Sequence, residues 1–482
     1  MSWEVRVIPN RYADSVRLMG IAQAVRGRDG VSRCEVAMGT PANLEALDAL
    51  GVSADAGPGD IVIAVDADDG RAEDAVAEAE RALSSLTGGE GGGAPDKAAP
   101  RSLPAAAREL PGANVALISV PGEYATLEAQ HALSAGMHVF LFSDHVPAES
   151  ELELKRRGAE LGLLVMGPEC GTAMLGGVGL GFANVVREGP VGIVSAGGTG
   201  AQETACLLDA SGSGASQIVG VGGRDLSVEI GGIMFREGMR MLGADERTET
   251  LLLVSKPPAP EVVAALAEAV PDGVRVVAAF VGYEGGEAPF EVHPTLEAGA
   301  LAAAGADPPD LSQLEREVDR RRSDTAGRAL LGLYSGGSLA HEAATILEPE
   351  LGALAGNLGE GGEGEGHALF DLGEAEYTQG RPHPMVDLEV RTRMLEDAAR
   401  DDRIGCVLLD VVLGHGAHPD PAGELAPALE RVGEGALVVA RVCGTPDDPQ
   451  DSARQQETLA GAGVMVAPSG AAAARLALRA VR

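Results

Sequence analysis

Aromatic side chains make up only 3% of this 482-residue chain. Its cores must therefore be aliphatic, drawn from the alanine and valine that, with glycine, dominate the composition. Lysine is rarer still. Lys97, Lys155 and Lys256 stand against many arginines, a bias of GC-rich coding that says little about function. Acidic residues outnumber basic ones 72 to 37, for a net charge of −35. Nothing in that balance offsets phosphate repulsion, so nucleic acid and anionic membrane surfaces are excluded as partners. The five cysteines (Cys34, Cys170, Cys206, Cys406 and Cys443) are scattered, odd in number and never arranged as CxxC. They exclude a disulfide framework and suit a reduced, cytoplasmic protein. No signal peptide is expected at the start, and no apolar run reaches membrane-spanning length.

Against these absences, one stretch carries most information. Val191–Gly200 reads as a buried strand followed by Ser195-Ala196-Gly197-Gly198-Thr199-Gly200, and residues 201–208 have helical spacing. A strand that feeds a glycine-rich turn and then a helix aims unpaired backbone N–H groups at one spot, which favours phosphate or carboxylate. Tyr334-Ser335-Gly336-Gly337-Ser338 repeats the arrangement before a helix near Leu339. Neither turn is a GxxxxGK[ST] phosphate loop or a full G-x-G-x-x-G fingerprint. Many α/β proteins carry such turns and bind nothing there. Two in one chain predict two α/β domains sharing an anionic substrate.

The rest of the chain supports that organisation. Residues 1–86 read as a small α/β domain, and Thr87–Pro95 as the core of a flexible linker over 87–104. From 105 short continuous apolar strands alternate with helices, the pattern of parallel sheets covered on both faces. The expected divisions are 105–186, 187–300, a connector at 301–327 with one exposed charged helix, and 328–482.

In open parallel sheets, ligands sit at the carboxyl ends of strands, which selects further candidates. Lys256 follows the strand Leu251–Ser255 and could pair with a phosphate; the alternative is a solvated loop lysine. Arg224, after Val221-Gly222-Gly223, could reach the same spot. Cys170 reads as a small buried thiol rather than a nucleophile. Arg381-Pro382-His383-Pro384 is a proline-stiffened segment suited to a binding loop, with a structural turn as the alternative. His415 and His418 are too few for a metal site, and none is expected. Asp410, at a strand end, is an acid–base group or a helix cap. Glu389-Val390-Arg391-Thr392-Arg393 is similar to the Ser-x-Arg-Thr motif of carbamoyltransferases, but it lacks the serine and has helical spacing, so it is set aside.

Taken in order, these motifs resemble the FdrA family of acyl-CoA synthetase-like proteins along nearly the whole chain. The resemblance is carried by Met38–Asn43, Ala116–Ala125, Leu164–Thr172, Gly220–Ser227, Val254–Pro258 and Gly380–Met385. More distantly, residues 105–300 are similar to the α subunit of succinyl-CoA synthetase, and 328–482 to the carboxyl-terminal domain of its β subunit. The implied fold is a small amino-terminal α/β domain followed by Rossmann-like (CoA-binding-like, truncated) and flavodoxin-like parallel-sheet domains of that type. The chain departs from the synthetase where Val292-His293-Pro294 replaces its Gly-His-Ala-Gly-Ala phosphohistidine segment. Ser255-Lys256-Pro257 falls where the synthetase has the glutamate that orients that histidine, and the nucleotide-grasp domain has no counterpart. No cofactor is therefore expected, and CoA ligation by this chain alone is not.

The resemblance implies a subunit of the oxamate carbamoyltransferase of allantoin degradation, in which phosphate converts oxalurate to carbamoyl phosphate and oxamate. In this reading Ser195, Gly197, Gly198, Thr199, Gly200, Arg224, Gly336, Gly337 and Ser338 bind the anion. Lys256 holds phosphate and the developing oxyanion, Arg381 pairs with the substrate carboxylate, and His383 donates the proton. The partners are phosphate, oxalurate-type substrates and other subunits of the enzyme, with a homo-oligomer allowed. The alternatives are an acyl-CoA synthetase subunit served by a separate ATP-grasp partner, and a non-catalytic anion-binding scaffold.

Overall fold

A computed structural model describes residues 3–11, 13, 15–28, 30–68, 70–87, 100, 102–284, 288–358, 366–378 and 381–482. The linker expected around 87–104 lies largely outside the described residues. The chain forms two compact units, residues 1–99 with 379–382, and residues 100–378 with 383–482.

In the first unit β1 (Glu4–Ile8), α1 (Ser15–Arg26), β2 (Val31–Met38), α2 (Pro41–Ala49), β3 (Ile61–Ala67) and α3 (Ala72–Thr87) follow in order. The sheet is antiparallel with β3 at its centre, in the order β1-β3-β2. Strand periodicity divides β3 between two cores. Ile61, Ile63 and Val65 pack with Leu18, Val25 and Leu83, while Val62 and Ala64 pack with Leu47 and Val52. Helix α2 is absent from the sequence reading. Its start is a Thr40 side chain that caps Asn43 N, followed by Pro41 at the first helical position, where proline's missing N–H costs nothing.

The second unit begins with α4 (Leu103–Glu109) and a three-stranded parallel sheet, β4 (Val115–Ile118), β5 (His138–Leu141) and β6 (Val165–Met166), with α5 (Gly122–Ser134) and α6 (Ala148–Leu161) between them. A hairpin of β7 (Thr172–Leu175) and β8 (Val178–Gly181) then joins the next sheet rather than this one. That sheet continues through β9 (Glu188–Ser195), α7 (Gly198–Ala210), β10 (Ala215–Gly220), α8 (Ile233–Gly243), β11 (Thr250–Ser255), α9 (Pro260–Ala265), β12 (Arg275–Phe280), β13 (Glu291–His293) and α10 (Leu296–Ala304). Its order is β13-β12-β11-β9-β10-β7-β8. The charged helix α11 (Ser312–Thr325) connects it to the last part. There β14 (Ala329–Tyr334), α12 (Gly337–Leu351), β15 (Ala355–Gly356), β16 (Ala368–Asp371), α13 (Ala375–Thr378), α14 (Glu389–Ala398), β17 (Ile404–Val412), α15 (Pro421–Gly433), β18 (Leu437–Cys443), α16 (Ser452–Gly461), β19 (Met465–Ala467) and α17 (Gly470–Val481) follow. This sheet is wholly parallel, in the order β15-β16-β14-β17-β18-β19.

Counted from β9, the first large sheet has the doubly wound flavodoxin order 2-1-3-4-5, and the second has the same order from β14 once its two-residue edge strand β15 is set aside. Strand direction of travel reverses beside β9 and beside β14, so crevices open at the carboxyl ends of β9/β11 and β14/β17. Both crevices carry the glycine-rich turns. One aliphatic core spans the layer between the sheets, with Ala205 and Leu208 of α7, Ala300 of α10, Leu339 and Ala343 of α12, and Ala473 and Leu476 of α17. Among the described residues no helix is long and apolar enough to cross a membrane.

Two buried glutamates cross that layer. Glu203 on α7 accepts Arg441 Nε at 2.9 and 3.0 Å and Gly470 N, at the start of α17, at 3.0 Å. Glu342 on α12 accepts Leu296 N at 2.7 Å and Glu297 N at 3.2 Å, at the start of α10. Each glutamate thus caps a helix that follows the last strand of the other sheet. Burial, then the nearby Glu203 carboxylate, push the Glu342 carboxyl up from its usual 4.5 to about 8. Its Oε2 has no hydrogen-bond partner. A carboxyl raised on folding adds stability in full below its ordinary value, and that stability is lost as pH rises through the folded value. Glu342→Gln should therefore raise the melting temperature by several degrees at pH 8.5 and change it little at pH 4.5. Differential scanning calorimetry at the two pH values measures this.

Candidate functional site

Serines close both central strands. Ser195 Oγ donates to Gly197 O at 2.7 Å and accepts from Gly197 N at 3.1 Å, folding the first turn onto itself. Ser335 is held from behind: its N and Oγ donate to Asp410 at 2.9–3.0 Å, and Arg391 NH2 donates to its Oγ at 2.7 Å. Arg391 is also ion-paired with Asp410 at 3.0 Å, both fully buried. Asp410 thus braces the second turn, and the set-aside Arg391 proves to be its counter-ion. Helices α7 and α12 then begin behind the extended N-cap residues Gly197 and Gly336, and neither has a side-chain cap. Their first-turn N–H groups keep the positive end of each helix available.

The two turns face each other closely. A Cβ on Gly336 would lie 2.6 Å from Thr199 Cγ2 and 2.9 Å from Thr199 Oγ1. One on Gly200 would lie 3.0 Å from Ser338 Oγ, and one on Gly197 would overlap that same hydroxyl. Glycine leaves room here for the hydroxyl side chain that each turn sends against the other's backbone. Thr172 Oγ1 stands 3.3 Å from the Cβ position of Gly198. This residue is 3% exposed, and its hydroxyl has no hydrogen-bond partner. An unmet hydroxyl donor thus lies beside an uncapped helix start.

Lys256 extends from β11 across this junction. Its Cε lies 2.6 Å from the Cβ position of Gly337, its Nζ nearer still, and Asp371 Oδ2 is 2.8 Å from the same point. Glu374 Oε1 is 3.9 Å from Lys256 Nζ. Asp371 closes β16, accepts Gly373 N at 2.9 Å and is 2% exposed. Burial pushes its carboxyl up to about 6, despite the Gly373 hydrogen bond and Lys256. His341 Nδ1 meets Gly337 O at 2.7 Å, and burial and Lys256 hold its imidazole below the usual range. His383 packs against Phe182 with ring centroids 5.3 Å apart, and its Nε2 lies 3.3 Å from the Cβ position of Gly373. Burial and the Arg391 guanidinium hold it down to about 4, so it is neutral at physiological pH.

Ser195, Gly197, Gly198, Thr199, Gly200, Lys256, Gly336, Gly337 and Ser338 therefore gather at one junction, with His383 beside it. Arg224 is engaged elsewhere. Its Nε pairs with Glu151 at 2.9 Å and its NH2 donates to Val146 O at 2.7 Å. Its charge still acts on Glu169, whose carboxyl burial pushes up. Arg381 groups with the first unit. Cys170 is buried with its thiol pushed up to about 12 by burial, which removes its nucleophilic character. His293 ends β13 and contacts Glu291 at 2.8 Å.

The sequence reading missed Thr172, Asp371, Glu203 and Glu342. The signal for the glutamates is visible in retrospect: Gly197-Gly198-Thr199-Gly200-Ala201-Gln202-Glu203 and Gly336-Gly337-Ser338-Leu339-Ala340-His341-Glu342 share Gly-Gly-hydroxyl-x-Ala-x-Glu. Asp371 ends a four-residue strand too short to register by periodicity.

Comparison with known proteins bears on these elements. Residues 333–480 match the family described as CoA-ligase, 186–282 the CoA binding domain, and 1–100 the heavy metal-associated domain of AllF. The chain is 34% identical over 503 residues to YahF of Escherichia coli, an uncharacterized protein, covering 97% of this chain and 96% of YahF. It is 31% identical over 149 residues to the alpha-2 subunit of a mitochondrial ADP-forming succinate–CoA ligase of Trichomonas vaginalis, covering 30% of this chain and 47% of that subunit. It is 33% identical over 148 residues to the corresponding alpha 2 subunit of Archaeoglobus fulgidus, covering 30% and 50%. The chain thus spans about half the length of these ligase subunits.

The first unit contains no histidine and a single cysteine, Cys34. That thiol is fully buried and pushed up to about 12 by burial. Among the described residues no group of three His, Cys, Asp or Glu could hold a metal ion, so the donor set does not fit one. The CoA binding match falls on β9–β12, beyond the 105–186 region to which the sequence reading gives that role. In that earlier region the turn from β4 to α5 has one glycine, Gly122. A Cβ there would lie 2.8 Å from His145 C and overlap Asp144 O, so the glycine is packed against the protein's own backbone.

Gly336→Ala tests the junction. The added methyl must displace Thr199, which should cost about 1–3 kcal/mol by overpacking and push the two helix starts apart. Chemical denaturation should show that loss, and calorimetric sulfate binding should weaken at least tenfold.

Proposed function

The chain belongs to the family of YahF, the FdrA-type acyl-CoA synthetase-like proteins, and from that premise we propose that it is a subunit of a cytoplasmic, multi-subunit carbamoyltransferase. The reaction is phosphorolysis of oxalurate to carbamoyl phosphate and oxamate. One observation supports the reading: two uncapped helix starts face each other, with an orphaned Thr172 hydroxyl beside one and Lys256 beside the other. That set suits the dianionic phosphate of an acyl phosphate, and carbamoyl phosphate is one.

In this mechanism the N–H groups at Gly198–Gly200 and Gly337–Leu339 bind phosphate together with Lys256, and Ser195 shapes the first turn. A phosphate oxygen attacks the ureido carbon of oxalurate, and the bond from that carbon to the oxamate nitrogen breaks. Lys256 offsets the charge that develops on the carbonyl oxygen. His383, being neutral, acts as a hydrogen-bond donor through Nε2 rather than as the acid expected from sequence. Arg224 adds positive field without contact. The succinate–CoA ligase relatives are named as subunits, which supports further subunits here.

A second reading, an acyl-CoA ligase subunit, draws on the CoA-ligase and CoA binding matches. The two are separated by assaying the chain with its genomic-neighbour proteins. Carbamoyl phosphate should form from oxalurate only when phosphate is present. Lys256→Ala should lower that rate about thirty- to eight-hundred-fold, the loss of roughly 2–4 kcal/mol of charge-assisted contact. Thioester formation dependent on CoA and ATP, or full activity in Lys256→Ala, would refute the proposal.

A further inference from the structure

Phosphorolysis of oxalurate moves one proton. Hydrogen phosphate enters with a hydroxyl, carbamoyl phosphate leaves without it, and the oxamate nitrogen gains a hydrogen. The proton needs a carrier within reach of both atoms. Three side chains around Gly337 and Gly373 are candidates. His383 Nδ1 receives Met385 N–H at 3.3 Å, so its hydrogen is on Nε2, and a neutral imidazole N–H is no acid near pH 7. His341 is tied through Nδ1 to Gly337 O at 2.7 Å.

Asp371 remains. One oxygen, Oδ1, is anchored by Gly373 N–H at 2.9 Å. The other, Oδ2, is 2.8 Å from the Cβ position of Gly337, the point that Lys256 Cε approaches to 2.6 Å. The anchored oxygen sets the orientation of the free one. That free oxygen faces the start of α12 and the ammonium where the phosphate of the preceding section would sit.

We propose that Asp371 is the proton carrier of this site. Its Oδ2 takes the phosphate hydroxyl proton as the oxygen–carbon bond forms, and returns it to the oxamate nitrogen as the carbon–nitrogen bond breaks. The assignment rests on the phosphorolysis reading for its reaction, and on geometry alone for its place against the anion. The charged groups facing Asp371 are Lys256 from β11, Glu374 after β16 and Asp410 of β17, with His383 beside Gly373 and His341 beyond Lys256. Burial outweighs Lys256 and holds the carboxyl at about 6. A carrier so poised is half-matched to both transfers near neutral pH.

Two measurements test it. Sulfate mimics phosphate but does not titrate near neutrality, so calorimetry in buffers of different ionisation heat reads protons taken up by the protein alone. A dianion against Oδ2 must raise the proton affinity of Asp371, so wild-type chain should take up protons on binding sulfate at pH 7. Asp371→Asn should still bind sulfate without that uptake. Equal uptake in Asp371→Asn would overturn the proposal, and absence of sulfate binding to wild type would overturn the anion site with it. In the assembled enzyme, the wild-type kcat/KM for phosphate, which reports the unliganded carboxyl, should rise with pH through about 6 as the carboxylate forms, and kcat should rise at a higher pH because the bound dianion raises Asp371. Asp371→Asn should lower kcat about a hundred- to ten-thousand-fold, flatten that rise, and leave KM for phosphate within about threefold, and Asp371→Glu should restore part of the rate. An unchanged pH profile in an active Asp371→Asn enzyme would refute the carrier role. An inactive wild-type enzyme would instead refute phosphorolysis, leaving the sulfate result to stand.

Discussion

The pair of crossed glutamates, Glu203 and Glu342, is the constraint on which the larger unit depends. Each sits in the second turn of a helix that opens at the candidate site, and each reaches into the opposite flavodoxin-like sheet to cap a helix there. Glu203 is paired with Arg441, whereas Glu342 has only backbone N–H groups. Burying two carboxyl groups side by side is expensive, and the cost falls on Glu342, which burial and Glu203 keep protonated near neutral pH. The arrangement is therefore unforgiving of any shift of α7 against α12. The distance between two helices is what sets the site: a small slide would separate Thr199 from Gly336 and Ser338 from Gly197.

The scarcity of aromatic residues serves the same end. The shared core between the sheets is filled with alanine and leucine, and small side chains let helices pack at close range. On α10, a Cβ at Gly299 would lie 2.5 Å from Ala279 Cβ, so that helix rests almost directly on β12. Close packing of short side chains also leaves little room to adjust. The few polar groups inside accordingly appear as complete devices, such as the Ser335–Asp410–Arg391 brace, or as isolated exceptions, such as Thr172.

A chain of net charge −35 repels anions at long range. The candidate site overcomes this locally, with two helix ends and one of only three lysines. Another of the three, Lys155, is wholly buried between Glu151 and Asp225, where it neutralises carboxylates rather than greeting a ligand. Screening by salt should therefore speed anion entry while leaving the short-range contacts largely intact.

Much of this was written locally. The glycine-rich turns, the parallel α/β pattern, the aliphatic cores and the choice of Lys256 at a strand end all follow from short stretches of chain, because strand and helix periodicity and turn chemistry act over a few residues. Repetition of the turn also signalled that the two helix starts would face each other. Other assignments needed the fold. Arg224 proved to be spent on Glu151, Arg391 to brace a turn it is remote from in sequence, and His383 to be neutral. Asp371 and Thr172 became visible only as neighbours of Gly337 and Gly198. A side chain's charge state and its unmet hydrogen bonds are set by burial and by partners far along the chain, and those exist only once the sheets have packed.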